Sequence, residues 1–268
     1  MELRPILVFD SGFGGLSILD RLIREMPSEK YVYFGDNAFA PYGIRSTEEV
    51  QTRTIAVVRS LVNAYDPRAI VIACNTATSA AIQELRTIYK ALPVIGTEPA
   101  IKPAVLAVEG ITDRLPRILA LATPITLKEK KFQDLMSRFA GRAEIDLLPA
   151  PELVSIIESQ TDVDERAIAY LRDCSTKKGF TPPYDAIVLG CTHFPFVKKS
   201  IQTVFGPEAP VFDSSDGVAR RTKDLLAEIR TDGSLSLQFD CSSPNPDAFR
   251  QRCVSLLRQL GCFAGGED

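Results

Sequence analysis

The chain has 268 residues, of which 45% are hydrophobic and 24% charged. That is the balance of a soluble globular protein, with room for two modest domains or one large one. A formal net charge of −3 speaks against a nucleic-acid surface. No apolar run approaches the ~20 residues of a membrane span, and the N-terminus shows no basic-then-apolar leader. The cytosol is the expected compartment, with no nucleic-acid or membrane partner.

In chain order, residues 5–10 read as a first strand, followed by Ser11-Gly12-Phe13-Gly14-Gly15 and a helix with Leu16, Leu19, Leu22, Ile23 and Met26 on one face. Residues 31–35 form a second strand. It opens into Asp36-Asn37-Ala38-Phe39-Ala40-Pro41-Tyr42-Gly43, too rich in turn formers for helix or strand. Ser46 with Glu49 forms a capping box at the start of a long helix. Residues 69–74 make a buried strand ending in Cys74, followed by a helix over 78–90, a short strand over 93–96 and a further helix after Pro99.

Residues 117–122 are the next strand, ending at Thr123-Pro124, with a helix over 126–139, a strand over 143–148, and helices over 151–160 and 164–177. Residues 186–191 form a strand ending in Cys191. A helix over 195–205, a strand over 210–212, a helix over 215–229, a strand over 235–240 and a closing helix ending at Gly261 complete the chain.

Strands alternating with helices imply α/β units built on parallel sheets. The run Ala69-Ile70-Val71-Ile72-Ala73-Cys74-Asn75-Thr76 resembles Ala186-Ile187-Val188-Leu189-Gly190-Cys191-Thr192-His193, 117 residues further on. The strand before Ser11 resembles that before Thr123 at an offset of 112. The sequence therefore predicts an internal duplication. The final strand and helix have no counterpart in the middle of the chain and are expected to return to the first unit.

Six cysteines with no C-x-x-C pair and a single histidine, His193, give no zinc spacing. Cys174, Cys241, Cys253 and Cys262 read as small buried hydrophobes. Cys74 and Cys191 differ because they stand just past the carboxyl ends of strands, where open α/β sheets bind ligands.

The glycines after the first strand suggest a dinucleotide fold. However, the third glycine of that fingerprint is replaced by Ser17, and Asp10 would face the pyrophosphate. The glycines suit backbone approach to a small anion instead. A Cys–His nucleophile using His193 is open, but it leaves the second cysteine without a role. Two thiols suit removal of a proton from one face of a carbon and delivery to the other, one as thiolate and one as thiol. Helix N-termini after both cysteines, and His193 beside Cys191, would tune them. Asp10 would hold an ammonium or orient a thiol. Ser11, Asn75, Thr76, Thr123 and Thr192 would bind carboxylates.

Asp10-Ser11-Gly12-x-Gly14-Gly15, Gly35-Asp36-x-Ala38-x-x-Pro41-Tyr42-Gly43, Ala73-Cys74-Asn75-Thr76 and Leu189-Gly190-Cys191-Thr192-His193-x-Pro195 together resemble the motif set of cofactor-independent glutamate racemases. The resemblance runs in order over nearly the whole chain. It implies two similar parallel-sheet α/β domains related by pseudo-symmetry, with the active site between them. The first domain would be 1–98 plus 209–268, and the second 99–208.

It also implies a cytosolic isomerase that interconverts L- and D-glutamate for peptidoglycan without pyridoxal phosphate or metal. The cysteine matching Cys74 deprotonates D-glutamate and that matching Cys191 deprotonates L-glutamate. Asp10 and His193 assist the two thiols, with the carboxylate matching Glu158 supporting the second. The Tyr42–Gly43 backbone, with Asp10, Ser11, Asn75, Thr76, Thr123, Thr192 and His193, would hold the substrate. An aspartate racemase of the same superfamily and a non-catalytic amino-acid sensor are the rival readings. Oligomeric state is left open, a homodimer included.

Phe39 departs from the arginine common in the family, and Leu127-Lys128-Glu129 from its small-polar run. The short stretch before Asp10 leads one to expect no N-terminal extension of the kind by which some members sense a cell-wall precursor.

Overall fold

A computed structural model describes residues 4–111, 113–128, 130–159, 161–226 and 234–262. The chain divides into two units, Met1–Thr97 with Ser215–Asp268, and Glu98–Ser214. Residues 209–214 therefore belong to the second unit, not to the first as the sequence suggested. The reason is pairing of the strand at 211–213 with its neighbour in the second sheet. The expected helical residues Glu129, Gln160 and 227–229 lie outside the described residues.

The first unit runs β1 (Ile6–Asp10), α1 (Leu16–Glu25), β2 (Lys30–Gly35), α2 (Thr47–Tyr65), β3 (Ala69–Ile72), α3 (Asn75–Ile88) and β4 (Val94–Gly96). The second holds α4 (Ile101–Val108), β5 (Arg117–Ala122), helical residues α5 (Pro124–Lys128) and α6 (Lys130–Ser137), β6 (Glu144–Pro149), α7 (Pro151–Glu158), α8 (Val163–Lys178), β7 (Ala186–Gly190), α9 (Lys198–Phe205) and β8 (Val211–Asp213). The chain then returns to the first unit with α10 (Ser215–Leu226), β9 (Ser236–Cys241) and α11 (Pro246–Gln259).

Both sheets are parallel, ordered β4-β3-β1-β2-β9 and β6-β5-β7-β8. If β1 to β4 are matched with β5 to β8, the two orders become the same winding. The added strand β9 lies outside β2. The duplication expected from two sequence offsets is thus a duplication of topology.

The central strands are apolar throughout because helices cover both faces. Alternate residues feed opposite sides. In the second unit, Leu119, Leu121, Ile187 and Leu189 pack with α7, α8 and α9, while Ile118, Ala120, Ala186 and Val188 pack with α4 and α6. In the first unit, Leu7, Phe9, Ile70 and Ile72 pack under Val50, Val58 and Leu61 of α2 and Ala77, Ala81 and Leu85 of α3. Helix α2 starts as read from sequence. Glu49 N–H donates to Ser46 Oγ at 3.2 Å, and Ser46 N–H donates to Glu49 Oε2 at 3.0 Å.

Candidate active site

In the first unit, register brings the motif residues together. Phe9 pairs with Ile72, and Ala73 N–H donates to Phe9 O at 2.8 Å. The ladder therefore runs on to set Ser11 beside Cys74. The Cys74 thiol donates to Ser11 Oγ at 3.4 Å. Cys74 is also the N-cap of α3, its Sγ accepting the Ala77 N–H at 3.4 Å. An unsatisfied amide row and the positive end of the helix dipole favour negative charge on such a sulfur.

Asn75 and Thr76 open the same helix and are buried. Neither Nδ2 nor Oδ1 of Asn75 has a hydrogen-bond partner in the protein. Buried amides are almost always paired, so a polar ligand at this place would satisfy it.

Asp10 is fully buried and accepts the Gly12 N–H at 2.9 Å. The glycine turn lets α1 lie close to the sheet. A Cβ on Gly15 would come within 2.7 Å of Asp10 Cβ and 2.9 Å of Ala73 Cβ. Close helix–strand packing is therefore the use of that glycine. Tyr33 Oη donates to Gly12 O at 2.8 Å and holds the turn from below.

The loop after β2 is anchored on a buried carboxylate. Tyr42 Oη donates to Asp36 Oδ2 at 2.6 Å, and the Arg53 guanidinium donates to both Asp36 oxygens at 2.8 and 2.7 Å. Burial alone would raise the Asp36 pKa, but hydrogen bonds from Arg53, Tyr42 and Ser242 hold it below the ordinary aspartate value. Burial and the Asp36 charge push the Tyr42 phenol far up, so it stays protonated as a donor. Tyr42 and Gly43 then form a 3₁₀ turn, Tyr42–Ile44, packed on α3. The Tyr42 side chain is thereby committed to Asp36. Arg53 and Ser242 carry no local sequence signal; their partners lie 17 residues away in one case and across a sheet edge in the other.

In the second unit the same register recurs. Ala122 pairs with Gly190, which sets Thr123 beside Cys191. A Cβ on Gly190 would meet Ala122 Cβ at 2.9 Å and Leu121 O at 3.0 Å, so the strands approach closely there. Thr123 Oγ1 accepts the Thr126 N–H at 3.4 Å and lies 3.1 Å from Thr126 Oγ1, at the start of α5.

Cys191, Thr192 and His193 are all buried. His193 Nδ1 is 3.9 Å from Cys191 Sγ, and His193 Nε2 is 2.8 Å from Glu158 Oε1 at the end of α7. Burial pulls the imidazole toward its neutral form, yet Cys191 and Glu158 outweigh burial and hold its pKa well above the usual histidine value.

One expectation fails here. An α-helix N-terminus follows Cys74 but not Cys191. After Cys191 come a turn, with Phe194 N–H donating to Cys191 O at 3.1 Å, and a 3₁₀ segment, Phe194–Val197; α9 begins only at Lys198. The break falls at Val197, whose φ of −118° and ψ of 27° leave the helical region just before α9. The helix end in one unit is replaced in the other by the His193–Glu158 pair.

All six cysteines are free. Burial raises Cys262 to about 12 and Cys253 further still, which keeps both as protonated thiols. No group of three or more His, Cys, Asp or Glu among the described residues is placed to hold a metal ion.

Two like-wound parallel units, each with a cysteine beside a hydroxyl at corresponding strand ends, define a class. The description Asp/Glu/Hydantoin racemase matches residues 7–222, and the chain belongs to that family. Its relatives include the glutamate racemase of Clostridium novyi, 42% identical over 237 residues covering 87% of this chain and 86% of that one. The glutamate racemase of Clostridium acetobutylicum is 45% identical over 222 residues, covering 83% and 84%. Among solved structures, Escherichia coli glutamate racemase in complex with L-glutamate and an activator superposes with a TM-score of 0.80 at 31% identity, over 96% of this chain and 95% of that one.

Proposed function

We propose that this protein interconverts L- and D-glutamate by proton transfer at Cα, with Cys74 and Cys191 as the two acid–base groups. The observation that carries the reading is the equivalence of the two thiols. Each follows a β3-type strand of its own unit and stands beside Ser11 or Thr123 from the neighbouring strand end. A thiolate at Cys74 takes the Cα proton from D-glutamate, and the Cys191 thiol delivers a proton to the opposite face. The product is L-glutamate, with a thiol at Cys74 and a thiolate at Cys191. The reverse reaction exchanges the two roles.

The α3 N-terminus and the Ala77 N–H stabilise negative charge at Cys74. At Cys191 the charge is met by His193, held protonated by Glu158. Asp10, Ser11, Asn75, Thr76, Thr123 and Thr192, with the Tyr42–Gly43 backbone, bind the ammonium and carboxylates. The unpartnered Asn75 amide supports that assignment. Asp10 assists the first thiol. A cytoplasmic role in supplying D-glutamate for peptidoglycan follows from this reaction. No helix among the described residues is long and apolar enough to cross a membrane.

The test is incubation of the protein with L-glutamate in deuterated water, in chelator and without added cofactor. Decay of optical rotation to zero with deuterium at Cα is expected. Retained rotation, or a kcat/KM for aspartate comparable with that for glutamate, would defeat the reading, because a site built for two carboxylates rejects a shorter chain that leaves its polar groups unpaired.

A further inference from the structure

The loop over residues 36–43 has no counterpart in the second unit. There β6 ends at Pro149 and α7 begins at Pro151, with only Ala150 between them. In the first unit the loop is fastened from three separate elements. Arg53 of α2 and Tyr42 of the turn converge on Asp36, which is fully buried. From the far side, β9 pairs with β2 as far as Gly35–Cys241, and Ser242 N–H then donates to Gly35 O at 3.1 Å. This sets the Ser242 hydroxyl to accept the Ala38 N–H at 3.0 Å. Within the loop, Phe39 N–H donates to Asp36 O at 3.0 Å. The Arg45 guanidinium lies 3.7 Å over the Phe39 ring while its Nε donates to Phe39 O at 2.8 Å.

Stability alone is a weak reason for this construction. A buried ion pair is commonly no better than a well-packed apolar cluster of the same volume. What a buried, fully bonded carboxylate does supply is one fixed geometry. The fixed object here is the Tyr42–Gly43 turn, which packs on α3, the helix that Cys74 caps.

We infer that Asp36, Arg53 and Ser242 are positioning residues for glutamate recognition, holding the Tyr42–Gly43 turn against the helix end that carries Cys74. The inference rests on the reading of the turn as a substrate-binding element. It also assigns a use to the strand β9, which has no counterpart among the described residues of the second unit: it braces this loop from the sheet edge.

The test compares wild type with Arg53→Met, Arg53→Lys and Ser242→Ala. KM and kcat are measured for both enantiomers, and the Kd of D-glutamate by calorimetry at a temperature where every variant is folded. A displaced binding turn weakens ground state and transition state alike, so KM and Kd should rise about tenfold or more in Arg53→Met with kcat within about threefold of wild type. Arg53→Lys should recover part of the loss, and Ser242→Ala should raise KM and Kd about two- to fivefold.

Wild-type KM and Kd in both Arg53→Met and Ser242→Ala would overturn the inference, as would a loss confined to kcat. Should Arg53→Met fail to fold, Ser242→Ala decides alone, since its hydroxyl lies at the loop surface. A wild-type protein that binds glutamate without racemising it would count against the reaction, not against the loop; the Kd series then decides whether the loop positions the ligand.

Discussion

His193 is the only histidine in the chain, so its ring signals can be followed through a pH titration without assignment. They are expected to titrate well above the usual value in wild type and at distinctly lower pH in Glu158→Gln, because that change removes the carboxylate that favours the imidazolium. Unchanged titration in the variant would show that Glu158 does not set the charge. The stability sign follows from the same shift. A folded-state pKa above the unfolded one gives stabilisation that is complete below the unfolded pKa of roughly 6.5 and is lost as pH rises through the folded value. The Tm gap between wild type and Glu158→Gln should therefore be widest in mild acid and close in alkali. Asn75 makes a second residue-scale prediction. Both polar atoms of its buried amide are unbonded in the protein, so Asn75→Ala removes a desolvated group that made no hydrogen bond. Its Tm should hold or rise, while the KM for glutamate rises about tenfold or more. A fall in Tm with unchanged KM would mean the amide serves the fold.

At the scale of elements, the strand ends are set by close approaches. Gly15 is where α1 meets β1 and β3, and its substitution is strained by contact with Asp10 and Ala73, not by backbone angles. Gly15→Ala should cost about 1–3 kcal/mol in unfolding free energy, typical of overpacking. The variant should also lose racemase activity beyond its loss of stability, because α1 cannot move away without carrying the turn that holds Asp10. Denaturant unfolding and kinetics on the same preparation check both halves. An activity loss no larger than the fall in folded fraction would detach the glycine from the site. The two cysteine-bearing strand ends differ as elements too. One thiol caps an α-helix, whereas the other lies 3.9 Å from an imidazole nitrogen and precedes a 3₁₀ segment that starts at Phe194.

At the scale of the molecule, one thiol belongs to each unit, and the proposed reaction needs both. L- and D-glutamate have equal free energy, so forward and reverse kcat/KM must be equal in any variant. Cys74→Ala and Cys191→Ala are each expected to lower racemisation in both directions by at least the ~10²–10⁴-fold typical of losing an acid–base group. The surviving thiolate can still exchange the proton of the antipode it faces. Cys191→Ala should exchange deuterium into D-glutamate, and Cys74→Ala into L-glutamate. Near-wild-type racemisation by either variant, or exchange of the opposite chirality in both, would exclude the two-base assignment.

What was legible in the sequence was whatever is encoded locally. Buried parallel strands appear as apolar runs, the Ser46–Glu49 capping box as a spacing of three, and the duplication as two offsets of similar length. The cysteines were conspicuous because strand ends are where such sheets place ligand groups. Tertiary structure alone decided which distant residues meet. Strand β8 joins the second sheet by its ladder with β7, a contact no pattern within residues 211–213 specifies. A 3₁₀ segment separates Cys191 from α9, and the end of α7, 35 residues earlier in the chain, meets the imidazole; the motif resemblance named Glu158 for this place, but no pattern along the chain does. Arg53 and Ser242 belong to no motif along the chain. Only the parallel crossovers bring α2 and β9 to the same loop, since hydrogen bonds to Asp36 and Ala38 are made in space and leave no periodicity along the chain.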